Sequence, residues 1–412
     1  MRISTNMIYD KGVGSIQQQW GSLLHTQQQL STGRRVLTPA DDPIASARAL
    51  EIGQSQGVNN QFMANTGYAE DKLNLLESQL DGVGEILQYM RQKTVAAGNP
   101  TFKEEDLRSL GIDLRAQFDA LMALANTKDG MGDYIFSGYR SNQQPFSGDL
   151  AGVVYSGDEG TQTVQVSASR FMPVSLPGSD VFARTRTLTD SVYVGNGTQN
   201  TGEAAVSGSA AIDPATGAPY AEGQGRRFEI EYNGGAYDVY EHRPGVAHKI
   251  TVATGLSDLS SLGDPASPNF VGLDFNVSSG PPADGDRFEV FSASTNMFDN
   301  LGIMIDALER PGPAGTAAGA VAFGLENIDR ANENILKVVA QIGSQLVETE
   351  SLQSLGSDLN LQYTEVITGL TGMTSEDWVE GLSRLTQQRT YLEAAQQSFM
   401  RVSGLSLFNF LN

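Results

Sequence analysis

The sequence has no cysteine, and it has only two tryptophans and three histidines in 412 residues. Without cysteine it can form no disulfide, thiolate nucleophile or cysteine-ligated metal site, and it is compatible with any redox compartment. It also lacks a run of about eighteen apolar residues, which argues against a membrane-spanning helix. The segment after Met1 lacks the apolar core and small-residue cleavage site of a secretory leader, so we expect no cleaved leader peptide.

Positive charge is scarce as well. The chain has 27 lysines and arginines against 48 aspartates and glutamates, which gives a formal net charge of −21. A phosphate backbone or an anionic membrane surface would be repelled by this total, so we predict neither nucleic acid nor a membrane as a partner. The length and the 40% apolar content suit two or three folded domains.

Enzyme motifs are missing or misplaced. His25, His242 and His248 do not form the helical two-histidine motif of zinc proteases. Residues 53–57 (Gly-Gln-Ser-Gln-Gly) have the spacing of a hydrolase nucleophile elbow, but they lie inside a helical pattern rather than between a strand and a helix. Turn chemistry explains the Asp-Gly-Asp segment at 284–286 more simply than calcium binding does. We therefore predict no catalytic, cofactor or metal site.

What the sequence does contain is helical periodicity at both ends. Near the start, Ile16, Leu23 and Leu30 recur every seven residues, with Trp20 between them. This narrow apolar stripe buries too little surface to stabilise a lone helix, because packing supplies most of a helix's stability. The first helix therefore needs a partner.

The helical pattern then breaks. Gly33 disfavours a helix, and Pro39 and Pro43 lack a backbone N–H and also restrict the residue before them. Asp41 and Asp42 are placed to favour the N-terminus of the next helix. We interpret these five residues as a hinge between two long helices.

A regular heptad pattern follows from Phe62 to Met90 and predicts a coiled-coil seam. The helical pattern that carries it begins after Pro43, with Ile44 and Leu50, and should end at Gly98-Asn99-Pro100. A second helix is predicted over 101–127, and the short connection implies that it folds back antiparallel on the first.

Between these helices and the C-terminal ones the pattern changes to short antiparallel strands. Residues 195–225 are rich in small and polar residues, and we predict a mobile surface loop there. The candidate strands are 134–138, 153–155, 164–166, 172–176, 228–232, 237–239, 271–277 and 288–291.

Helical spacing returns at Met297 and, after a stop at 311–315, continues to a second break at 369–374. The last helix carries Trp378 and three further apolar residues at intervals of seven, with others beside them. We predict that the apolar stripes of the two end helices form an assembly seam. Its residues are Ile16, Trp20, Leu23, Leu30, Trp378, Leu382, Leu385, Leu392, Phe399 and Val402.

The sequence thus predicts an α+β fold in which long antiparallel coiled-coil-like helices from both chain ends flank an inserted antiparallel all-β outer region. The two breaks should lie at one level. The predicted segments are an N-terminal arm (1–40), the N-terminal half of a helical domain (41–136), a β region (137–294, divided near 188), the C-terminal half of the helical domain (295–370) and a C-terminal arm (371–412).

The two arms should pack on each other first. Because their stripes are narrow, we hypothesise that they are poorly ordered in the free monomer and become ordered on assembly. Circular dichroism of the monomer with and without residues 1–30 and 375–412 tests this. A large, cooperatively melting helical signal that disappears with those residues would contradict it.

Three segments resemble the bacterial flagellin superfamily. Residues 30–46 resemble its N-terminal signature of leucine, serine, glycine and a basic residue followed by paired aspartates, and the prolines beside Asp41 and Asp42 resemble the hook-filament junction branch. Residues 132–138, followed by 144–146, are similar to the segment that ends the helical domain in that branch. Residues 394–411 resemble the C-terminal helix of the superfamily.

The resemblance implies a non-enzymatic structural protein of the bacterial flagellum that needs no cofactor. It implies self-association in a ring that joins a FlgK-type junction protein on the hook side to flagellin. It further implies export, without a cleaved signal, through the flagellar type III apparatus with the chaperone FlgN, and an extracellular position. A filament-forming flagellin is the first alternative, against which Pro39 and Pro43 argue. The second is an enzyme domain on a flagellin scaffold, for which residues 139–293 offer no catalytic constellation.

Overall fold

The computed structural model describes residues 5–185, 192–278, 280–312 and 315–408. Six α-helices occur in these ranges, and the longest flank a central β region in the sequence, which confirms the predicted α+β fold. None of the described helices is long and apolar enough to cross a membrane. The helices are α1 (Thr5–Thr32), α2 (Pro43–Ala97), α3 (Glu104–Ala125), α4 (Met297–Glu309), α5 (Ala317–Thr371) and α6 (Ser375–Phe408).

The chain forms two compact units. The first unit contains residues 1–64 and 351–412, and the second contains residues 65–350. These bounds fall within α2 and α5 rather than at the helix breaks. The five segments predicted from the sequence therefore stay a prediction.

In the second unit, the heptad pattern of α2 forms the predicted buried seam. Leu73, Leu80, Val83, Leu87 and Met90 are all at most 1% exposed. The register confirms that α3 folds back antiparallel on α2. The hydroxyl of Tyr89 on α2 lies 2.9 Å from a carboxylate oxygen of Asp113 on α3. Ten residues before Tyr89, Gln79 contacts Thr127, which lies fourteen residues after Asp113.

Aromatic packing anchors α4 within the second unit. Phe298 on α4 lies 5.8 Å from Phe118 on α3, 5.4 Å from Phe146 and 5.7 Å from Phe182, measured between ring centroids. All four rings are essentially buried. Aromatic contacts of this kind add to the free energy gained from burial alone.

The β region consists of antiparallel pairs, as predicted. Two hairpins, β1–β2 and β3–β4, precede a five-stranded sheet of order β5-β11-β7-β8-β9, and β6 pairs separately with β10. The strands are β1 (Phe146–Asp149), β2 (Gly152–Tyr155), β3 (Thr163–Ser167), β4 (Arg170–Pro173), β5 (Val192–Asn196), β6 (Ala205–Ala210), β7 (Arg227–Asn233), β8 (Ala236–His242), β9 (Ile250–Leu256), β10 (Leu273–Ser278) and β11 (Arg287–Ser292).

Two predictions in this region are wrong. Residues 134–138 form turns rather than a strand, with a single bridge between Lys128 and Tyr134, because Phe136 is buried against the ring of Phe182 instead of pairing in a sheet. Residues 195–225 are not one loop, because β6 lies within them and pairs with β10 along six residues. Small side chains permit this strand, since Val192 approaches Gly208 too closely for a Cβ atom there.

The other differences are shifts of helix ends. The second break is shorter than predicted, because α5 continues through Gly369 to Thr371 and only 372–374 lie outside a helix. Helix α2 begins at Pro43, one residue before the start of the predicted helical pattern at Ile44. A proline at the first helical position loses no hydrogen bond, since that N–H would have no partner within the helix.

Candidate functional site

The two helix breaks meet in the first unit, as predicted. Arg34 and Gly372 form an isolated antiparallel bridge. The backbone N–H of Arg35 donates to the carbonyl of Thr371 at 2.8 Å, and the N–H of Met373 donates to the carbonyl of Gly33 at 2.9 Å. We call this arrangement, residues 33–42 with 370–377, the paired break.

Gly33 ends α1 in the left-handed conformation, with φ of 65°. Glycine adopts this conformation without the steric penalty of a Cβ atom, which is why it so often follows the last residue of a helix. The left-handed backbone of Gly33 is therefore what ends α1 at the position where the sequence predicts a helix break.

Arg35 joins three helices at the paired break. Its guanidinium donates to the carbonyl of Leu370 in the last turn of α5 at 3.1 Å and contacts Asp42, which precedes α2, at 3.2 Å. Its own carbonyl accepts a hydrogen bond from the side chain of Gln29 on α1 at 2.6 Å. A cation near the last carbonyls of a helix is also favoured by the helix dipole. Sequence reasoning missed this residue.

The paired aspartates have different partners. Asp42 accepts a hydrogen bond from the backbone N–H of Ala45 at 3.0 Å and so caps α2; this bond is the main reason why the pKa of Asp42 is lowered. Asp41 accepts from the backbone N–H groups of Leu37 and Thr38 at 3.0 and 2.8 Å. The bond from Thr38 is the main reason why the pKa of Asp41 is lowered.

Asp41 also holds the segment between α1 and α2 against α1, because its carboxylate lies 3.1 Å from the ring of His25 on α1. Pro39 is exposed and occupies the second position of a turn that the N–H of Asp41 closes onto the carbonyl of Thr38 at 3.0 Å. Proline suits that position because its fixed φ matches the turn. Four of the five predicted hinge residues thus lie in the segment that joins α1 to α2, and the fifth, Pro43, is the first residue of α2.

A reciprocal cap starts α6 on the other side of the paired break. The hydroxyl of Thr374 accepts from the N–H of Asp377 at 3.2 Å, and the carboxylate of Asp377 accepts from the N–H of Thr374 at 2.8 Å. These two bonds form a capping box, and the backbone bond is the main reason why the pKa of Asp377 is lowered. Both helices that leave the paired break therefore begin at an aspartate-stabilised N-terminus.

Helices α1 and α6 pack on each other over several turns. A Cβ atom at Gly12 would lie 2.9 Å from the ring of Phe399, and one at Gly381 would lie 2.9 Å from Leu30. Leu392 is the most buried member of the predicted seam, at 5% exposure. These contacts bring α1 and α6 together, and the use of the seam in assembly stays a prediction.

Other members of the predicted seam lie on the surface of the first unit. Trp20 is 45% exposed, Trp378 is 40% exposed and Leu382 is 53% exposed. Ile16, Leu23, Leu30, Leu385 and Phe399 are partly buried, and the side chain of Val402 lies outside the described residues.

The exposed apolar surface of the first unit extends beyond the predicted seam. Among the described residues, only Val36, Ala45 and Leu392 are buried apolar side chains in this unit. In the sequence, the apolar residues of these helices occupy more than one heptad position. This pattern could have identified the exposed apolar residues outside the predicted seam. The further exposed large apolar residues are Leu24, Ile44, Leu50, Val58, Leu355, Leu361, Val366, Val379, Tyr391 and Met400.

The space between α1 and α6 near the paired break is polar. An open groove of about 890 Å³ is lined there by charged and amide side chains, among them His25, Asp377, Glu380 and Arg384. In the part of the chain that the structure describes, no group of three or more acidic, histidine or cysteine residues could hold a metal ion.

Comparison with known proteins bears on the whole chain. Residues 3–141 match the family model described as the bacterial flagellin N-terminal helical region. Flagellar hook-associated protein 3 of Escherichia coli (strain K12) is 29% identical over 413 residues, which cover 99% of this chain and 99% of that protein. Flagellin of Listeria monocytogenes is 24% identical over only 127 residues, which cover 31% of this chain and 44% of that protein.

A solved structure agrees with this result. The flagellar junction protein FlgL from Legionella pneumophila is 26% identical and superimposes with a TM-score of 0.50, covering 79% of this chain and 100% of that one. Both the end helices and the central region thus find counterparts in one group of proteins. The chain is therefore similar, over 99% of its residues, to flagellar hook-associated protein 3 (FlgL), a structural protein of the bacterial flagellum.

Proposed function

We propose that this chain is the subunit of a ring that joins a FlgK-type junction protein on the hook side of the flagellum to the flagellin filament. The full-length likeness to hook-associated protein 3, one solved relative of which is described as a junction protein, supports this role. In this proposal the protein is extracellular, leaves the cell through the flagellar type III apparatus without a cleaved signal, and is escorted by the chaperone FlgN.

The observation that carries the proposal is the exposed apolar surface of the first unit. Both tryptophans of the chain and Leu382 belong to it. Full burial of one large apolar side chain is worth about 1.5–3 kcal/mol. Several such residues on one unit therefore supply a large driving force for association with further copies, and three members of the seam, Trp20, Trp378 and Leu382, form part of this surface.

Charge supports the same assignment. The first unit has eight basic and ten acidic residues, whereas the second has nineteen basic and thirty-eight acidic residues. Like charges repel, so contacts between copies cost least where the net charge is small. In our proposal the first unit makes the contacts between subunits and with the FlgK-type and flagellin neighbours.

The paired break fixes the geometry of the end helices in this proposal. Gly33, Pro39, Asp41, Asp42 and Pro43 hold the segment between α1 and α2 in a defined turn rather than a flexible linker. Mutation of Pro39 and Pro43 to alanine should then impair docking more than it impairs folding of the monomer. Unchanged motility of a strain with both substitutions would count against the hinge.

Deletion of the gene in its own bacterium tests the proposed function. A junction protein is required before filament growth, so the deletion strain should lose motility and release unpolymerised flagellin into the medium. The intact gene supplied in trans should restore filaments. Normal filaments on the deletion strain would overturn the proposal.

A filament-forming flagellin is the second candidate, because the superfamily match over residues 3–141 is shared with flagellins. Copy number separates the two, since a filament subunit is present in far more copies per flagellum than a ring subunit. Quantitative mass spectrometry of purified flagella measures this ratio directly. A filament-like abundance of this chain would favour the second candidate.

A further inference from the structure

Part of the contact between α2 and α5 in the first unit consists of amide side chains. Gln56 donates to the hydroxyl of Thr364 at 3.0 Å. Asn59 donates to the carbonyl of Gly356 at 2.7 Å, and Asn360 donates to the side chain of Asn60 at 2.6 Å. We call these six residues the amide ladder.

One residue of the amide ladder, Asn59, occupies a position that holds leucines elsewhere in the same helix. Leu87, Leu80 and Leu73 recur every seven residues along α2, and the next positions in this series are Thr66 and then Asn59. All five are buried, with exposures between 0% and 9%. The seam of α2 therefore changes from apolar to polar towards the N-terminus of the helix.

Helix α5 changes in the same way. Ile335 and Ile342 are followed at intervals of seven by Thr349 and then Gly356, and all four are buried. Both helices therefore replace large apolar residues by threonine and then by a residue without an apolar side chain. These last residues, Asn59 and Gly356, are hydrogen-bonded to each other.

The solvent-facing side of the ladder segment shows the opposite pattern. Val58 is 54% exposed, Leu355 is 56% exposed and Leu361 is 63% exposed. Three large apolar side chains of this segment thus face solvent, while the amide of Asn59 is buried against α5. This departs from a stable amphipathic pair, in which the large apolar residues form the contact.

Polar atoms in this contact are incompletely satisfied. The side-chain oxygens of Gln353 and Asn360 are buried and accept no hydrogen bond from any described protein group. The close contact also depends on Gly356, because a Cβ atom there would lie 2.7 Å from the side chain of Met63. Buried polar groups without partners cost free energy, and polar residues in a coiled-coil seam reduce its stability.

We propose that the amide ladder is a built-in release point, at which α2 and α5 separate locally while the apolar seam of the second unit stays closed. Local opening of a native protein is cheapest where few apolar contacts must be broken. Opening here detaches the ends of α2 and α5 that adjoin the paired break without requiring the second unit to unfold. The inference stands on these contacts and holds whether or not the chain functions as a junction protein.

Hydrogen–deuterium exchange of the full-length monomer tests the release point. The backbone N–H groups of residues 52–64 and 352–366 should exchange faster than those of residues 69–90. They should do so in conditions under which the second unit stays folded. Equal protection of the two α2 segments would overturn the proposal.

A variant with Asn59→Leu and Asn360→Leu tests whether the amides cause the opening. It removes two polar groups from the contact and should slow exchange of 52–64 by about tenfold or more, since an unsatisfied buried polar group carries a penalty of that order. The matched control is Gln54→Leu with Gln362→Leu, which makes the same chemical change at exposed positions and should leave exchange unchanged. The single change Asn360→Leu serves if the double variant does not fold. Unchanged exchange in a folded ladder variant, or equal slowing in the control, would overturn the proposal.

Discussion

The two units of the molecule distribute apolar residues in opposite ways. In the second unit the seam of α2, the aromatic cluster around Phe298 and the apolar face of the sheet are buried, with Phe228, Ile230 and Val290 fully so. In the first unit the described residues include only three buried apolar side chains and many exposed ones. The second unit therefore contains what a stable fold needs, whereas the first contains what an association surface needs.

Charge follows the same division. Almost the whole net negative charge of the chain belongs to the second unit, where internal ion pairs offset part of its self-repulsion. The most buried of these pairs joins Arg227 on β7 to Glu289 on β11 and Asp306 on α4, and all three side chains are at most 2% exposed. The comparison predicts that substitutions in the second unit act on stability, whereas substitutions in the first act mainly on assembly.

The largest effect should come from Arg227→Ala. Its guanidinium lies 2.9 Å from Asp306 and also pairs with Glu289, so the substitution leaves two buried carboxylates without this cation. Breaking a buried pair in this way costs about 3–5 kcal/mol. Urea unfolding of the full-length protein measures it, with Arg287→Ala as control, because the exposed pair of Arg287 with Glu231 is worth only about 0–1 kcal/mol. Equal effects of the two variants would contradict the assignment of a buried charge core.

Gly111→Ala should have the next largest effect. A Cβ atom on this residue of α3 would lie 2.9 Å from the backbone nitrogen of Glu309 at the end of α4. Since a backbone atom cannot move aside as a side chain can, we expect a loss of about 1–3 kcal/mol. Gly84→Ala on α2 is the matched control, because nothing lies within 4 Å of that position, and there alanine should be neutral or stabilising. Thermal unfolding distinguishes them, and a stabilised Gly111→Ala protein would show that α3 and α4 are less closely packed.

Acid should destabilise the second unit through Glu229. Burial acts to raise the pKa of this carboxyl, but the hydrogen bond with His242 and the charge of Lys249 outweigh it and lower the pKa to about 2. A folded-state pKa below the unfolded one stabilises the fold above pH 4.5, and this contribution is lost as the pH falls towards 2. We expect Glu229 to account for about 1–2 kcal/mol of the stability lost between pH 7 and pH 3.

Urea midpoints at these two pH values, compared between the wild type and Glu229→Gln, measure this contribution. The variant should be less stable at pH 7 and should lose less stability on acidification. An identical pH dependence of the two proteins would rule out Glu229 as a source of acid sensitivity.

The smallest effect on stability should come from Arg35→Ala, in the first unit. The substitution removes the guanidinium bonds to Leu370 and Asp42, which are partly exposed and together worth about 1 kcal/mol or less. Motility should nevertheless fall, because the paired break loses the side chain that connects it to α5. Arg34→Ala is the matched control, since the neighbouring residue contributes to the paired break through its backbone. Full motility of the Arg35→Ala strain would show that the break needs only its backbone hydrogen bonds.

Local patterns in the sequence predicted the long helices well. The heptad from Phe62 to Met90 specifies a buried face by spacing alone, and the prolines and glycine between α1 and α2 specify the break by their backbone restrictions. The wrong predictions arose where the partner decides the structure. Residues 134–138 have the aromatic and β-branched composition of a strand, but Phe136 packs on Phe182 instead. The small residues of β6 become a strand only through pairing with β10.

The candidate site shows the same limit. Asp41 and Asp42 could be assigned to a helix start because capping is local. Arg35 could not be assigned, because its partner Leu370 lies 335 positions away and no local pattern connects them. Asn59 occupies a leucine position in the heptad series, and that irregularity was readable from the sequence. Its structural role could not be predicted, because it depends on a hydrogen bond to the carbonyl of Gly356 on α5.

The backbone bridge between the two breaks has a consequence for how the chain can change over time. The backbone hydrogen bonds from Arg35 to Thr371 and from Met373 to Gly33 close the chain between the two breaks into one large loop. The entropy cost of closing a loop grows only slowly with its length. Segments can therefore be inserted or lengthened between β1 and β11 at small cost to the closure, provided that the buried contacts of Phe182 and Arg227 with α4 are kept. The exposed parts of the middle of the chain can then diversify while its ends keep one geometry.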